Sequence, residues 1–221
     1  MPPTKRAPNR RGAARREQIL DAAVELFAQK GYRGSGLLEL ADRLGTSHVL
    51  ILHHFGTKEG LLQAVVARRD QIMEQLASDV RGTGIKGLTG IRPPFEPEVL
   101  TRLETVLRVE NLDASDPLHG HFVERTQQTR DLIAAEIRAG QEQGEIRSDI
   151  DPDVKAIEIV AFGIGMETQW LLTPNLIDRD RVHQSFARAL LDDLTSPDAP
   201  RRGSKRKTGT TSRTTRKTPS R

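Results

Sequence analysis

Glycines at 31 and 45 set the rhythm of residues 19–62 and leave the chain few folds to choose from. Ile19, Ala23, Leu26 and Phe27 recur at i, i+4, i+7 and i+8, which is one face of a helix, and Gly31 comes next, where left-handed backbone commonly ends one. The spacing predicts a first helix over about residues 15–30. Ser35 can cap a second helix, in which Leu37, Leu40, Ala41 and Leu44 repeat at i, i+3, i+4 and i+7 and Gly45 closes the run. Gly45-Thr46-Ser47 then forms a three-residue turn, with Ser47 placed to cap the next element. The run Val49-Leu50-Ile51-Leu52 has strand-like residues, but helix punctuation bounds it rather than hairpin turns. Read as a short third helix, it points Ile51 and Phe55 inward and leaves His48, Val49, Leu52 and His53 on other faces. Thr57 caps a long fourth helix from Lys58 to about Ser78, with Glu59 favourable in its first turn. Short helix, glycine turn, short helix and long helix make up a helix-turn-helix arrangement.

Beyond Ser78 the stretch RGTGIKGLTGIRPPFEP holds four glycines and three prolines in 17 residues, so a continuous helix is excluded and a long loop is expected. Helical patterns return at about 98–111, 117–141, 152–172 and 178–194, the third opened by Asp151 as cap and Pro152 at its first position. No internal repeat or sustained heptad is visible, and the expected body is all-α. With 36% hydrophobic residues, the 221-residue chain can bury one large core or two small ones.

The net charge of +4 hides an asymmetry. Residues 1–16 carry six cations (Lys5, Arg6, Arg10, Arg11, Arg15 and Arg16) and no acid, and residues 201–221 carry nine cations, again without an acid. Positions 17–200 keep 19 basic against 30 acidic residues, so the body is net −11. Ends of this composition bury too little apolar surface to offset their ordering entropy, and they are expected to be disordered. Such tails either solubilise the protein or draw it to a polyanion, most simply DNA. The expected organisation is a basic arm over 1–16, a helix-turn-helix domain over 17–62, a helical domain over 63–196 and a basic tail over 197–221.

The chain has no cysteine, which excludes disulfides, thiolate metal sites and cysteine nucleophiles. The cationic first 16 residues contain no apolar core of a secretory leader, and no apolar run approaches the ~20 residues of a membrane span, so a cytoplasmic protein without membrane contact is expected. Neither a glycine-rich phosphate loop nor HExxH is present, and an enzyme is not expected. His48, His53 and His54 invite a metal reading, but no pair of them has the i, i+4 spacing that sets two ligands on one helix face. Neither a metal nor another cofactor is expected.

The residues IL.AA.ELF...GY..S...ELA..LG.S....LHHF.TKE.LL, from Ile19 to Leu62, resemble the DNA-binding domain of TetR-family transcriptional regulators over about a fifth of the chain. The resemblance implies that His48, Val49, Leu52 and His53 face the major groove, and that His54 and Lys58, matching the family's usual histidine and lysine, lie near phosphate. Ser35 and Ser47 would stand at helix N-termini, where backbone N–H groups and hydroxyls hold phosphate oxygens, with Thr46 in the adjoining turn. Two positions depart from the pattern. Leu50 stands where the family commonly has Ser or Thr, and Leu52 where it commonly has Tyr. The reading face is therefore more apolar than usual and suits thymine methyl groups, while the N-terminal arm can supply the missing phosphate contacts.

The resemblance further implies a C-terminal domain for ligand binding and dimerisation. Leu103, Leu107, Phe122, Phe162, Met166 and Trp170 are candidates to line an apolar effector pocket, or else are plain core. Gly163 and Gly165, costly within a helix, suit close approach of a neighbouring helix. The expected function is a homodimeric, ligand-responsive repressor that binds a near-palindromic double-stranded DNA operator and is released by a small molecule. An activator on the same fold and an architectural, sequence-tolerant DNA-binding protein without a ligand remain the alternatives.

Overall fold

The computed structural model describes residues 10–77, 88 and 97–195. Among them are eight helices and no strand: α1 (Arg10–Lys30), α2 (Leu37–Arg43), α3 (His48–Phe55), α4 (Lys58–Ala77), α5 (Glu98–Glu110), α6 (His119–Glu142), α7 (Pro152–Leu172) and α8 (Arg179–Thr195). None of the described helices is long and apolar enough to cross a membrane.

The glycine punctuation acts as its spacing predicts. Gly31 adopts φ 73° and its N–H closes α1 on the Phe27 carbonyl at 2.9 Å, while Gly45 adopts φ 57° in the turn between α2 and α3. Ser47 caps α3 by accepting the Leu50 N–H at 3.3 Å. Thr57 Oγ1 accepts the Gly60 N–H at 2.9 Å, and Asp151 accepts the N–H groups of Asp153 and Val154, with Pro152 opening α7.

Two local expectations are corrected. The first helix begins at Arg10, so residues 10–16 of the expected disordered arm are helical, whereas residues 1–9 lie outside the described residues. Apolar periodicity cannot register this extension, because no large apolar residue precedes Ile19 within it, but alanine and arginine are strong helix formers. The second correction concerns Ser35. The N-cap of α2 is Gly36, and the buried Ser35 hydroxyl instead donates to the Gly31 carbonyl and lies 3.4 Å from that of Leu26, at the C-terminal end of α1. A helix end leaves carbonyls without intrahelical partners, and a nearby hydroxyl that serves them is drawn inward.

Of the Gly/Pro stretch expected as a loop, only Leu88 and Pro97 are described. Leu88 is helical and buried, and the rest lies outside the described residues, as does the basic tail from 196 onward.

Two apolar cores organise the chain. The first gathers Ile19, Leu26 and Phe27 of α1, Leu40 of α2, Ile51 of α3 and Leu61, Leu62 and Val65 of α4, and it continues into Leu100, Leu103 and Leu107 of α5, Leu118, and Phe122 of α6. It crosses the expected domain boundary at 62/63, because α1 packs most extensively against α5. The second core joins Ile133, Ala134 and Ile137 of α6 with Ile146, Ala156 of α7 and Leu190 and Leu194 of α8. The N-terminal helices are thus continuous with the body of the protein rather than hung on a linker.

Candidate functional site

The third helix is fixed by what it buries. Ile51 is fully enclosed, and Phe55 is half-buried and packed against the first core, so the rotation of α3 about its axis is set. That rotation leaves His48 and His53 exposed, Val49 62% exposed, and Leu50, Leu52 and His54 half-buried. Ser47 is exposed at the helix start, and Thr46 is half-buried, its N–H donating to the Ala41 carbonyl at 2.9 Å. Ser47, His48, Val49 and His53 therefore share an outward surface with Leu52 at its edge. Ser35 does not belong to this group, being buried beneath the turn after α1.

The N-terminal extension of α1 braces this unit. Arg15 donates to Gln18 at 3.0 Å and to the Leu44 carbonyl, at the end of α2, at 3.3 Å. The Arg16 guanidinium lies 5.0 Å from the centroid of the Phe55 ring, while Arg11 is exposed. Charge alone places these cations in an arm, and the Arg15–Gln18 spacing of three is the sign in the sequence that they sit on a helix. The expected phosphate ligand Lys58 is partly committed internally. Its ammonium donates to the Tyr32 carbonyl at 2.6 Å and sits 4.2 Å from the tyrosine ring centroid. The Tyr32 hydroxyl donates to Glu59 at 2.8 Å. Burial, then the hydrogen bond and negative charge of Glu59, push the tyrosine up to about 12. The same bond leads the causes that hold the Glu59 carboxyl below its ordinary range, with its own backbone N–H and the Thr57 hydroxyl after it. Glu39 receives Lys30 at 2.7 Å and Arg43 at 2.9 Å, in that order the main causes of its lowered pKa.

In the C-terminal part the six candidate pocket residues separate. Leu103 and Leu107 are four apart on α5, and both are about 1% exposed against α1, with Phe122 in the same core; that packing consumes them. Phe162 and Met166 do line a cavity of about 390 Å³, together with Ala161, Gly165, Gln169, Ile177 and Val182. Phe162 stacks on Phe186 of α8 at 3.6 Å with His183 edge-on at 5.8 Å. Trp170 is buried beside this cavity rather than in its wall, with the Arg179 guanidinium 3.7 Å from its ring centroid. Ideal β-carbons at Gly163 and Gly165 would meet no atom within 4 Å among the described residues, so neither glycine serves close packing between the described helices.

An outward surface of about two turns on a short capped helix, beside a cationic helix end, has the dimensions of a major-groove reader. Sequence comparison agrees. The model for bacterial regulatory proteins of the tetR family matches residues 19–65, and that for the C-terminal part of BetI-type transcriptional repressors matches residues 113–196. The HTH-type transcriptional repressor AcnR of Corynebacterium jeikeium is 30% identical over 161 residues, covering 69% of this chain and 80% of its own. The chain belongs to the TetR family. It is a DNA-binding transcriptional regulator. A second TetR-family relative, the repressor KstR2 of Rhodococcus jostii, is 26% identical over 196 residues, 84% of this chain and 93% of that one. Among solved structures, FadR from Bacillus subtilis in complex with stearoyl-CoA shares the fold with a TM-score of 0.61 at 20% identity, covering 80% of this chain and 98% of that chain.

Proposed function

We propose that this regulator is a ligand-responsive repressor that acts in the cytoplasm as a homodimer on a near-palindromic operator. The observation that carries the reading is the orientation of α3, where fully buried Ile51 forces His48, Val49 and His53 outward. His48, Val49, Leu52 and His53 face base edges, and Ser47, Thr46 and the flanking cations of α1 approach the phosphates. His54 and the remaining donors of Lys58 serve the backbone at the edge of this surface.

Dimerisation is assigned to α7 and α8. Val154, Ile157, Ala161, Gly165 and Leu172 form a small-to-apolar stripe along α7 at spacings of three, four, four and seven, and Val154, Ile157, Ala161 and Leu172 are exposed. A second copy that covers this stripe would bring two α3 helices to one face of the duplex, one helical turn or about 34–36 Å apart. The cleft bounded by Phe162 and Met166 shares Ala161 and Gly165 with the stripe, so a second copy would close one side of it, and its volume falls in the size range of small-molecule sites, roughly 300–1,000 Å³. An apolar effector bound there, and DNA bound at α3, oppose each other by linkage. This cleft favours the ligand-responsive reading over an architectural DNA protein.

The test is selection of duplexes from a random pool by the wild-type protein, and then titration of the recovered sequence against scrambled DNA. A repressor prefers its operator by about 10³-fold or more, and a preference below about tenfold would leave only sequence-tolerant binding.

A further inference from the structure

The turn after α1 is held from the far side by the end of α5. Glu110 Oε2 accepts the Tyr32 N–H at 2.7 Å, and a β-carbon at position 31 would overlap the Glu110 carboxylate, so Gly31 admits that carboxylate to the backbone. One residue later Asn111 fastens α5 to the start of α6. Its amide donates to the Leu107 carbonyl at 2.7 Å, and its Oδ1 accepts the Leu118 N–H at 2.9 Å. Arg33 pairs with Asp116 in the same connection. The α5–α6 corner therefore grips the Gly31–Arg33 turn at two points through charged groups.

Tyr32 passes that grip onward. Its carbonyl takes the Lys58 ammonium, its ring lies under the same ammonium, and its hydroxyl holds Glu59. Lys58 and Glu59 form the first turn of α4, separated from the end of α3 only by Gly56 and Thr57. The start of α4 thus has two anchors: its own cap at Thr57 and Tyr32. A shift of the α5–α6 corner that withdraws Glu110 would free the second anchor without touching His48, Val49, Leu52 or His53, the residues assigned to base edges.

We propose that Glu110 is a positioning residue for DNA binding, holding the recognition helix in register through Tyr32 and the first turn of α4. The proposal rests on the DNA-reading role assigned to α3 and adds the route by which the effector domain governs it. Glu110 acts as an acceptor, so glutamine replaces it and alanine does not. Tyr32 is the chain's only tyrosine, which makes its ring signal an unmixed reporter of the node.

The experiment measures affinity of the full chain for the duplex selected by the wild type, across a salt series, for Glu110→Ala, Glu110→Gln, Tyr32→Phe and the Glu110→Ala/Tyr32→Phe double variant. Glu110→Ala and Tyr32→Phe should each weaken binding about tenfold, in the range of couplings between distant sites, and the double variant should be no weaker than about tenfold because both changes cut one route. Glu110→Gln should stay within about threefold of wild type. The salt slope should change by no more than roughly 0.9 in any of them, the share of the one Lys58 charge whose anchor is loosened, since neither substituted residue itself touches phosphate. Amide exchange at Gly60 and Leu61 should quicken in Glu110→Ala, and the Tyr32 ring resonance should move. Additive losses approaching a hundredfold, full affinity in Tyr32→Phe, or a salt slope altered by more than that single-charge share would overturn the proposal. If the wild type selects no duplex, the operator reading falls, and the exchange rates alone decide the positioning role: unchanged rates at Gly60 and Leu61 reject it. If Glu110→Ala does not fold, Tyr32→Phe and Glu110→Gln carry the test, with retained affinity in the first or a tenfold loss in the second counting against it.

Discussion

Glu104 gives the sharpest stability prediction, because it is a carboxylate buried between α4 and α5. The residue is 5% exposed, its Oε2 lies 3.0 Å from the Arg69 guanidinium of α4, and its other oxygen takes Arg108 one turn along α5. The side chain of Arg69 is itself only 8% exposed. Removing one partner of a buried pair strands the other charge in a poorly solvated place, at about 3–5 kcal/mol. Here the lower end applies, since Asp70 remains 3.6 Å from Arg69 and can take part of the load. Glu104→Gln keeps the shape and removes the charge, so it should destabilise the protein by about 3 kcal/mol. The double variant Glu104→Leu/Arg69→Met replaces the pair by apolar groups of similar volume and should recover most of that loss, because desolvation of two ions is no longer required. The assay is urea denaturation at one fixed protein concentration, so that self-association contributes equally to every variant. A Glu104→Gln loss below about 1 kcal/mol, or a double variant as unstable as the single, would refute the argument that burial, rather than the ion pair as such, sets the size of the effect.

The geometry sets three further outcomes. Gly165→Leu puts a large side chain on the α7 stripe and meets open space among the described residues, so the monomer should fold normally while sedimentation shows a weakened dimer; an unchanged dimer would move the interface away from the middle of α7. Burial, and then the positive charge of Arg179, hold His183 below its ordinary value, with Asp180 partly opposing. The unfolded chain then binds that proton more readily, so the stabilisation is full above about pH 6.5 and declines as pH falls through that value towards the depressed folded one. The urea midpoint at pH 5.5 relative to pH 7.5 should drop less in His183→Gln than in the wild type, and equal drops would exclude His183 as the cause. Replacing both Arg11 and Arg16 by glutamine should flatten the logarithmic salt dependence of DNA binding by roughly 0.9 for each charge that engages a phosphate; an unchanged slope would remove this end of α1 from the interface.

The sequence disclosed those features whose cause is local. Gly31 and Gly45 mark left-handed positions, Ser47, Thr57 and Asp151 mark caps, and the 3.6-residue rhythm marks α1 and α2, all within a few neighbouring residues. Periodicity fails for residues 10–16, where helix propensity and contacts to Leu44 and Phe55 act without an apolar stripe. Ser35 shows a related limit, because one hydroxyl can serve the helix before it or the helix after it, and only the fold chooses. The cavity beside Phe162 and Met166 is the least legible feature. An apolar residue on a helix reads the same whether it faces a neighbour or a cavity, and Leu103 and Leu107 are spent on α1 while Phe162 and Met166 line open space. Glu110 and Tyr32, 78 residues apart, gave no sequence sign of their hydrogen bond.

The central claim is that α3 reads DNA with an apolar face, and thymine-to-uracil substitution tests it most directly. Val49 is 62% exposed with its methyl groups free to meet a thymine methyl, and Leu52 stands half-exposed one turn further along. Each contacted thymine replaced by uracil in the selected operator removes one methyl and should cost about 0.8 kcal/mol, close to a fourfold loss of affinity. In Val49→Ala the penalty at the position it reads should vanish while penalties elsewhere persist. Binding indifferent to uracil at every position of both half-sites would contradict the claim.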